Sequence, residues 1–541
     1  MLNTIDDFDF ISKRISNSLL YLDKFVLSAT KALSNKKYNE AIGLAELYGS
    51  YAWLCHSGIY SCPKIENILL EIAQKIPRRI TGLNVGLKDS NTSKRKILHI
   101  LSQPLQVGGH TRAVERFIKN DSKDGIHSIA ITCNSYDIPL WLIESVSLSG
   151  GTIYKIDNLY NTFFERATAL RAIAHQWADI VILHTHPNDP LPIVAFGTSY
   201  GPPVVLFNHA DHVFWFGACI ADLVADIRPA GQILSLNRRN INASKLLPIP
   251  LVTSATTIEN VKAKKQLGLD ENTTVLLSVA NEYKYSPVGE FDFLKIMKGI
   301  LDKNKMTVLL VVGPQNHKRW AEYNTATKGR IRALGLQNDL RLYWAATDVY
   351  VDSLPFASLT SALDVGLLGT PLIGVYNHLS PVLSGDDISL NQCGTHVSSL
   401  EEFEVSLNRL IRSETLRKSR GKVISKSILG DHVGHGWRKY IDSMYQEVCT
   451  GHSILSVKHR DEELDNDDIM LRYFQEQTGC WNAIRGALSS RIRNCSFDIR
   501  HDFLMQNIFR RNIFKEERLP VRVFLGRHTI DKIKKVKQLL T

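Results

Sequence analysis

Residues 351–371 read VDSLPFASLTSALDVGLLGTP. The stretch opens on the end of a short apolar run, DVYVD (348–352), turns through Ser-Leu-Pro-Phe and enters an apolar-periodic segment, LTSALDVGLLG. It leaves through Gly-Thr-Pro into a second apolar run, PLIGVY (371–376). A buried strand, a loop, a helix and another buried strand in that order make a β-α-β crossover, and crossovers build parallel sheets covered by helices on both faces. Thr360 and Ser361 open the helix. Their hydroxyls and the unpaired N–H groups of the first turn can hold a diphosphate. Asp364, one turn beyond Thr360 on the same face, can accept hydrogen bonds from ribose hydroxyls.

The same alternation extends upstream. TVLLSVA (274–280), MTVLLVVG (306–313) and DLRLYW (339–344) read as further strands, with helical patterns such as FDFLKIMKGILDK between them. An earlier series comprises ILHILSQ (97–103), HSIAIT (127–132), TIYKI (152–156), DIVILHT (179–185) and PVVLFNH (203–209), separated by amphipathic segments such as TRAVERFIKN. A proline-punctuated connector, LLPIPLV (246–252), divides the two series. The expected fold is therefore α/β, with two Rossmann-like doubly wound domains over residues 95–248 and 253–430 and a ligand cleft between their carboxyl-edge loops. Residues 1–90 repeat apolar side chains at three and four and read as a helical accessory region, closed by the polar linker LKDSNTSKRK (87–96). Residues 431–541 read as a helical return followed by a basic tail. The acidic run DEELDNDD (461–468) between them has neither the alternating ligands nor the central glycine of a calcium loop and reads as a solvated linker.

Two further clusters lie at strand ends of the first domain. Gly108 and Gly109, before His110 and a helix, let backbone N–H groups approach a phosphate or sugar, or close a tight turn and nothing more. Asn208-His209-Ala210-Asp211-His212 follows PVVLF, with His184 and His186 after the preceding strand. A histidine oriented by a carboxylate at such a position can take a proton from an acceptor hydroxyl, so His110, or His209 with Asp211, is the candidate base. The same residues could instead hold structural hydrogen bonds. Their spacing matches no recognised metal-ligand pattern, and no metal is expected.

The segment D-S-L-P-F-x-x-x-T-S-x-x-D-x-x-x-x-G-T-P resembles the donor-binding stretch of GT-B glycosyltransferases, especially the O-linked N-acetylglucosamine transferase group and the related bacterial adhesin glucosyltransferases. In that group a Thr-Thr pair binds the donor diphosphate and a following Asp binds the ribose, which implies those roles for Thr360, Ser361 and Asp364. Upstream, Asn281-Glu282-Tyr283-Lys284-Tyr285-Ser286-Pro287 resembles the N-Q-x-Y-K-x-x-P loop of the group, whose lysine neutralises the leaving diphosphate; the resemblance implies that role for Lys284, with Asn281 beside the donor. The first domain, with its Gly-Gly-His turn, looks more like the wider glycosyltransferase-4 style. Those enzymes carry one glutamate where this chain has Phe356 and a second where it has Asp364, and the missing first glutamate argues against their retaining chemistry. The resemblance thus implies an inverting, metal-independent transferase that takes a nucleotide diphosphate sugar, UDP-sugar favoured, as substrate and needs no cofactor. A glycan, lipid-linked or protein acceptor would complete the reaction. A nucleotide-sugar epimerase, a phosphorylase-like enzyme or a non-catalytic nucleotide-sugar-binding partner would share the architecture.

Composition is consistent with this reading. With 44% hydrophobic and 22% charged residues, the 541-residue chain can bury a large core and is not disordered. Of the net charge of +11, residues 482–541 carry +9, from 14 Lys+Arg against 5 Asp+Glu, so the basicity belongs to the tail and no nucleic-acid module accompanies it. The tail permits peripheral contact with an anionic membrane face through HTIDKIKKVKQLL (528–540). No run reaches the roughly 20 apolar residues of a membrane span, the first ten residues are acidic rather than leader-like, and the eight cysteines form no C-x-x-C pair. The expected location is cytoplasmic, at the inner membrane face if the tail docks there, and the expected setting is cell-surface glycan synthesis.

Overall fold

The computed structural model describes residues 5–78, 93–106, 109–133, 137–239, 241–253, 258–377, 380–448 and 464–509. Gly108 and most of the basic tail, including residues 528–540, lie outside these. Two parallel sheets form the body. The first contains β1 (Arg95–Leu101), β2 (Gly125–Ile131), β3 (Ile153–Lys155), β4 (Ile180–His184), β5 (Val204–Asn208), β6 (Leu223–Asp226) and β7 (Ser244–Leu246), in the order β3-β2-β1-β4-β5-β6-β7. The second contains β8 (Thr274–Val279), β9 (Thr307–Val312), β10 (Ile331–Ala333), β11 (Val349–Val351), β12 (Leu372–Val375) and β13 (His396–Val397), in the order β10-β9-β8-β11-β12-β13. Both orders reverse direction beside the first strand of the sheet. That is the doubly wound pattern, and it opens a crevice at the strands' carboxyl ends.

One expected strand is a helix. In the stretch 339–344, the Asp339 carboxylate accepts the N–H of Arg341 at 2.9 Å, and a helix runs over Arg341–Ala346. Leu340, Tyr343 and Trp344, spaced at three and four, pack against the apolar layer behind β8 and β9, so helical periodicity overrides a composition that favours a strand. The short strand Ile331–Ala333 takes the place beside β9.

The helical front piece is built into the first domain. Helices Ile5–Ser34, Tyr38–Leu54 and Pro63–Ala73 share one apolar cluster with that domain and with helix Cys480–Asn494, running from Phe25 through Leu170 and Phe196 to Ile484 and Phe503. Two buried charges cross the junction. Arg171, on helix Phe163–Trp177, donates to the carbonyls of Ala73 (2.9 Å), Ile76 (3.2 Å), Val194 (3.0 Å) and Ala195 (2.6 Å). The Glu66 carboxylate accepts the N–H groups of Gly217, Ala218 and Cys219 at 2.8, 3.3 and 3.1 Å. Helix Gly434–Val448 returns from the second domain to the first and lays Trp437, Ile441 and Met444 against Ile97, Phe117 and Ile180.

The second half of the acidic run is not a solvated linker. Asp465 caps helix Asn466–Gln477, and buried Asp468 lies 2.8 Å from His56 Nε2 and 3.1 Å from Arg238. These partners are distant in sequence, so local composition could not reveal them. None of the described cysteines is in a disulfide, and all but Cys133 are buried. Among the described residues no helix is long and apolar enough to cross a membrane.

Candidate functional site

The second domain contributes a rigid loop and a helix start. Beyond β11 the Asp352 carboxylate gathers the loop: Oδ1 accepts the N–H groups of Ser353 and Ser358, both at 2.8 Å, and Oδ2 lies 3.1 Å from His396 Nε2. Ser358 becomes the N-cap of helix Leu359–Leu367, so Thr360 and Ser361 sit in its first turn beside N–H groups that have no partner within the helix. Lys284 comes from the single turn Glu282–Tyr285 after β8, where its N–H donates to the Asn281 carbonyl at 3.0 Å. Its ammonium donates to the Ala357 carbonyl at 2.7 Å and lies 4.4 Å from the centre of the Phe356 ring. The lysine is thereby held against the loop that leads into Thr360. Burial pushes its pKa down to about 8 despite the opposing pull of Asp352. Asn281 itself is exposed.

The first domain faces this loop with helix Gly109–Asp121. A side chain at Gly109 would place its Cβ 3.3 Å from Thr360 Oγ1, so the missing Cβ lets the two helix starts meet. Arg116, two turns along, pairs with Asp364 at 2.9 Å. Burial raises the Asp364 carboxyl, and Arg116 opposes that shift. Next to this contact the rings of His110 and His209 stand 4.5 Å apart. His110 Nε2–H donates to the His184 carbonyl at 2.9 Å, which leaves Nδ1 with a lone pair that is buried and has no hydrogen-bond partner. His209 Nε2 lies 2.8 Å from His184 Nδ1. Burial, with His186 adding to it, pushes His110 down to about 4, and burial next to His110 holds His209 well below the usual imidazole range. Both rings are neutral at pH 7 and can accept a proton. Among the described residues, no group of three or more His, Cys, Asp or Glu side chains is arranged to hold a metal ion.

The architecture has solved counterparts. The glycosyltransferase from Rickettsia africae ESF-5 superposes with a TM-score of 0.51 at 13% identity, over 66% of this chain and 100% of that one. The fold is GT-B. A mutant O-GlcNAc transferase from Thermobaculum terrenum matches 79% of this chain and 82% of its own at 15% identity and a TM-score of 0.48. TarM matches 67% and 100% at 9% identity and a TM-score of 0.49. No protein-family model and no curated protein matches the chain.

Within the GT-B cleft one expected partnership is replaced. Asp211 does not orient His209; its carboxylate receives Arg228 through Nε (2.5 Å) and Nη2 (3.0 Å), and lies 3.2 Å from His212 Nδ1. Burial works to raise the Asp211 carboxyl but is outweighed by Arg228 and His212, so it titrates well below the usual carboxylate range. Arg228 also donates to the carbonyls of Val382 (2.7 Å) and Ser384 (2.9 Å), fastening the first GT-B domain to the second. Neither Arg116 nor Arg228 stood out in the sequence, since each acts on a residue more than a hundred positions away or across a loop; Arg228 before Pro229 at the end of β6 was the only local hint. Replacing Arg228 by Met leaves Asp211 buried without its guanidinium. The expected cost is about 3–5 kcal/mol of stability, read as a fall in the denaturant midpoint.

Proposed function

We propose that the chain transfers a glycosyl group from a UDP-sugar to a hydroxyl of a glycan, free, lipid-linked or protein-borne, by a single displacement. The observation that carries this reading is the convergence, across one GT-B cleft, of a cation and a helix start on one wall with two unprotonated imidazoles on the other. The acceptor oxygen forms its bond to the anomeric carbon as the bond from that carbon to the diphosphate breaks. The hydroxyl proton passes to His209, with His110 beside it as a second acceptor of hydrogen bonds. Lys284 and the amides and hydroxyls at Thr360 and Ser361 receive the charge that develops on the diphosphate, without a metal in this role. Asp364 takes the ribose hydroxyls once Arg116 moves aside, and Gly109 keeps the approach to the phosphates narrow. The inverting outcome follows the family resemblance.

The test is a panel of nucleotide sugars with the purified protein. A UDP-sugar should raise the melting temperature by several degrees at concentrations well above its Kd, and UDP release should accelerate when acceptor is added. If no nucleoside diphosphate sugar shifts the transition, the donor reading fails. If a donor binds but is neither transferred nor hydrolysed with any acceptor, a non-catalytic binding role replaces it.

A further inference from the structure

The first domain contains a row of histidines that neither packing nor the reaction explains by itself. From the cleft inward, His209 Nε2 lies 2.8 Å from His184 Nδ1, His184 Nε2 lies 2.9 Å from His99 Nδ1, and His99 Nε2 lies 2.9 Å from His127 Nδ1. At the far end His127 Nε2 lies 3.4 Å from Asp121 Oδ2. The row starts one residue beyond β5 and crosses β4, β1 and β2, and His184, His99, His127 and Asp121 are all at 0% exposure. Phe117 stands edge-on against His99, His127 and His184, closing one side of the row with an apolar wall.

Proton counting gives this row a direction. A neutral imidazole carries one N–H and one lone pair, and each nitrogen–nitrogen contact must hold one proton. Four neutral rings carry four protons, of which three fill the three contacts. The fourth sits at one end: on His127 Nε2, facing Asp121, or on His209 Nδ1. Any other arrangement sets two protons or two lone pairs against each other at under 3 Å. Burial favours the neutral form of His99 and His184, with neighbouring imidazoles adding to it, and the count takes all four rings as neutral.

Asp121 decides between the two ends. Its Oδ1 receives Arg438 at 2.7 Å and its Oδ2 receives the Tyr445 hydroxyl at 2.6 Å, so both oxygens are committed as acceptors. His127 Nε2 makes no hydrogen bond, and its 3.4 Å contact with Oδ2 is electrostatic: a lone pair there would be repelled by the carboxylate, whereas an N–H is attracted to it. The fourth proton therefore belongs on His127 Nε2. Each contact is then filled from the Nε2 side, and His209 is left with a lone pair on Nδ1.

We infer that Asp121, through His127, His99 and His184, sets the tautomer of His209, so that its Nδ1 presents a lone pair as proton acceptor in the glycosyl transfer proposed above. These four are positioning residues, and the inference rests on that reading for its catalytic consequence but not for the tautomer itself. The groups at the two ends of the row are His110, itself beside His186, in the cleft, and Asp121 with Arg438 and Tyr445 at the other end. Deprotonating the acceptor hydroxyl adds one proton to His209 Nδ1 and gives an imidazolium whose Nε2–H remains directed at His184. That proton is released to water when the product leaves.

The experiment is nitrogen-15 NMR of the full chain labelled at histidine, with His209 assigned from the signals lost in His209→Gln. At neutral pH without donor, His209 should carry its proton on Nε2, as should His184, His99 and His127. In Asp121→Asn the amide nitrogen can take the Oδ2 place and donate to His127 Nε2, so the row should reverse and His209 should carry its proton on Nδ1. Transfer activity should fall with it by about 10²-fold or more, as expected for a base held in the wrong tautomer. A wild-type His209 protonated on Nδ1, or an Asp121→Asn protein that keeps the wild-type pattern, overturns the inference. If Asp121→Asn does not fold, the wild-type pattern decides alone. If the tautomers are as described but no nucleotide sugar is turned over, only the functional reading falls.

Discussion

Replacing Lys284 by alanine is expected to lower kcat by about 10²- to 10³-fold, the range found when one donor to a developing oxyanion is removed from a preorganised site. The melting temperature should change little, because relief of the burial penalty on the charged lysine is opposed by loss of the bond to the Ala357 carbonyl. The pH profile separates this role from a structural one. Burial puts the folded-state pKa at about 8, below the ordinary lysine value, so the ammonium is present below pH 8 and is lost as pH rises through it. The kcat/KM of the wild type should fall on that limb, since kcat/KM reports the free enzyme. The limb in kcat should lie at higher pH, because a bound diphosphate favours the cation. Lys284→Arg keeps the charge and should abolish the alkaline limb even if its longer side chain costs rate. A Lys284→Ala protein with near wild-type kcat would remove the leaving-group argument altogether.

The second large effect is expected at His209. His209→Ala should cost about 10²- to 10⁴-fold in kcat, the usual contribution of a positioned general base, with little change in donor affinity measured by UDP titration. Here the sign of the pH dependence runs the other way. Burial holds the imidazole pKa well below its ordinary value, so the neutral, proton-accepting form persists through the usual histidine range and is lost only at more acid pH. The profile of kcat/KM should be flat between this low acid limb and the lysine limb near 8. An acid limb at the ordinary histidine value would mean that the base is a more exposed group. His110→Ala should cost less than His209→Ala if His110 only steadies the acceptor; the reverse order would exchange their roles.

The two-domain plan was readable because most strands of a parallel sheet are buried on both faces and appear as continuous apolar runs; β2, β4, β5 and β9 are buried throughout. Strands β6, β7, β10 and β13 are two to four residues long and carry too little pattern to stand out in the sequence. At the candidate site, Thr360, Ser361, Asp364 and Lys284 are marked in the sequence because each lies in a local motif that follows a strand. Arg116, Arg228 and the Asp121 row are not. His99 and His127 each appear as an isolated histidine inside a largely apolar strand, and only the register that pairs Ile97 with His127 and Leu101 with His184 brings the rings into line. The same limit explains Asp211. His209, two residues before it, is the partner the sequence suggests, but a guanidinium seventeen residues on takes the carboxylate instead.

The buried bonds of Arg171 and Glu66 bear on how such a protein can change over evolutionary time. An appended domain joined by a flexible tether can be lost, duplicated or swapped between relatives at small cost. Here the first seventy-odd residues supply carbonyls that satisfy a guanidinium rooted in the Rossmann layer, and a carboxylate that satisfies three amides of the same layer. Excision would strand both sets of groups away from water. The amino-terminal helices and the sheet beneath them therefore form one structural unit, in which neither part keeps its buried polar groups satisfied without the other.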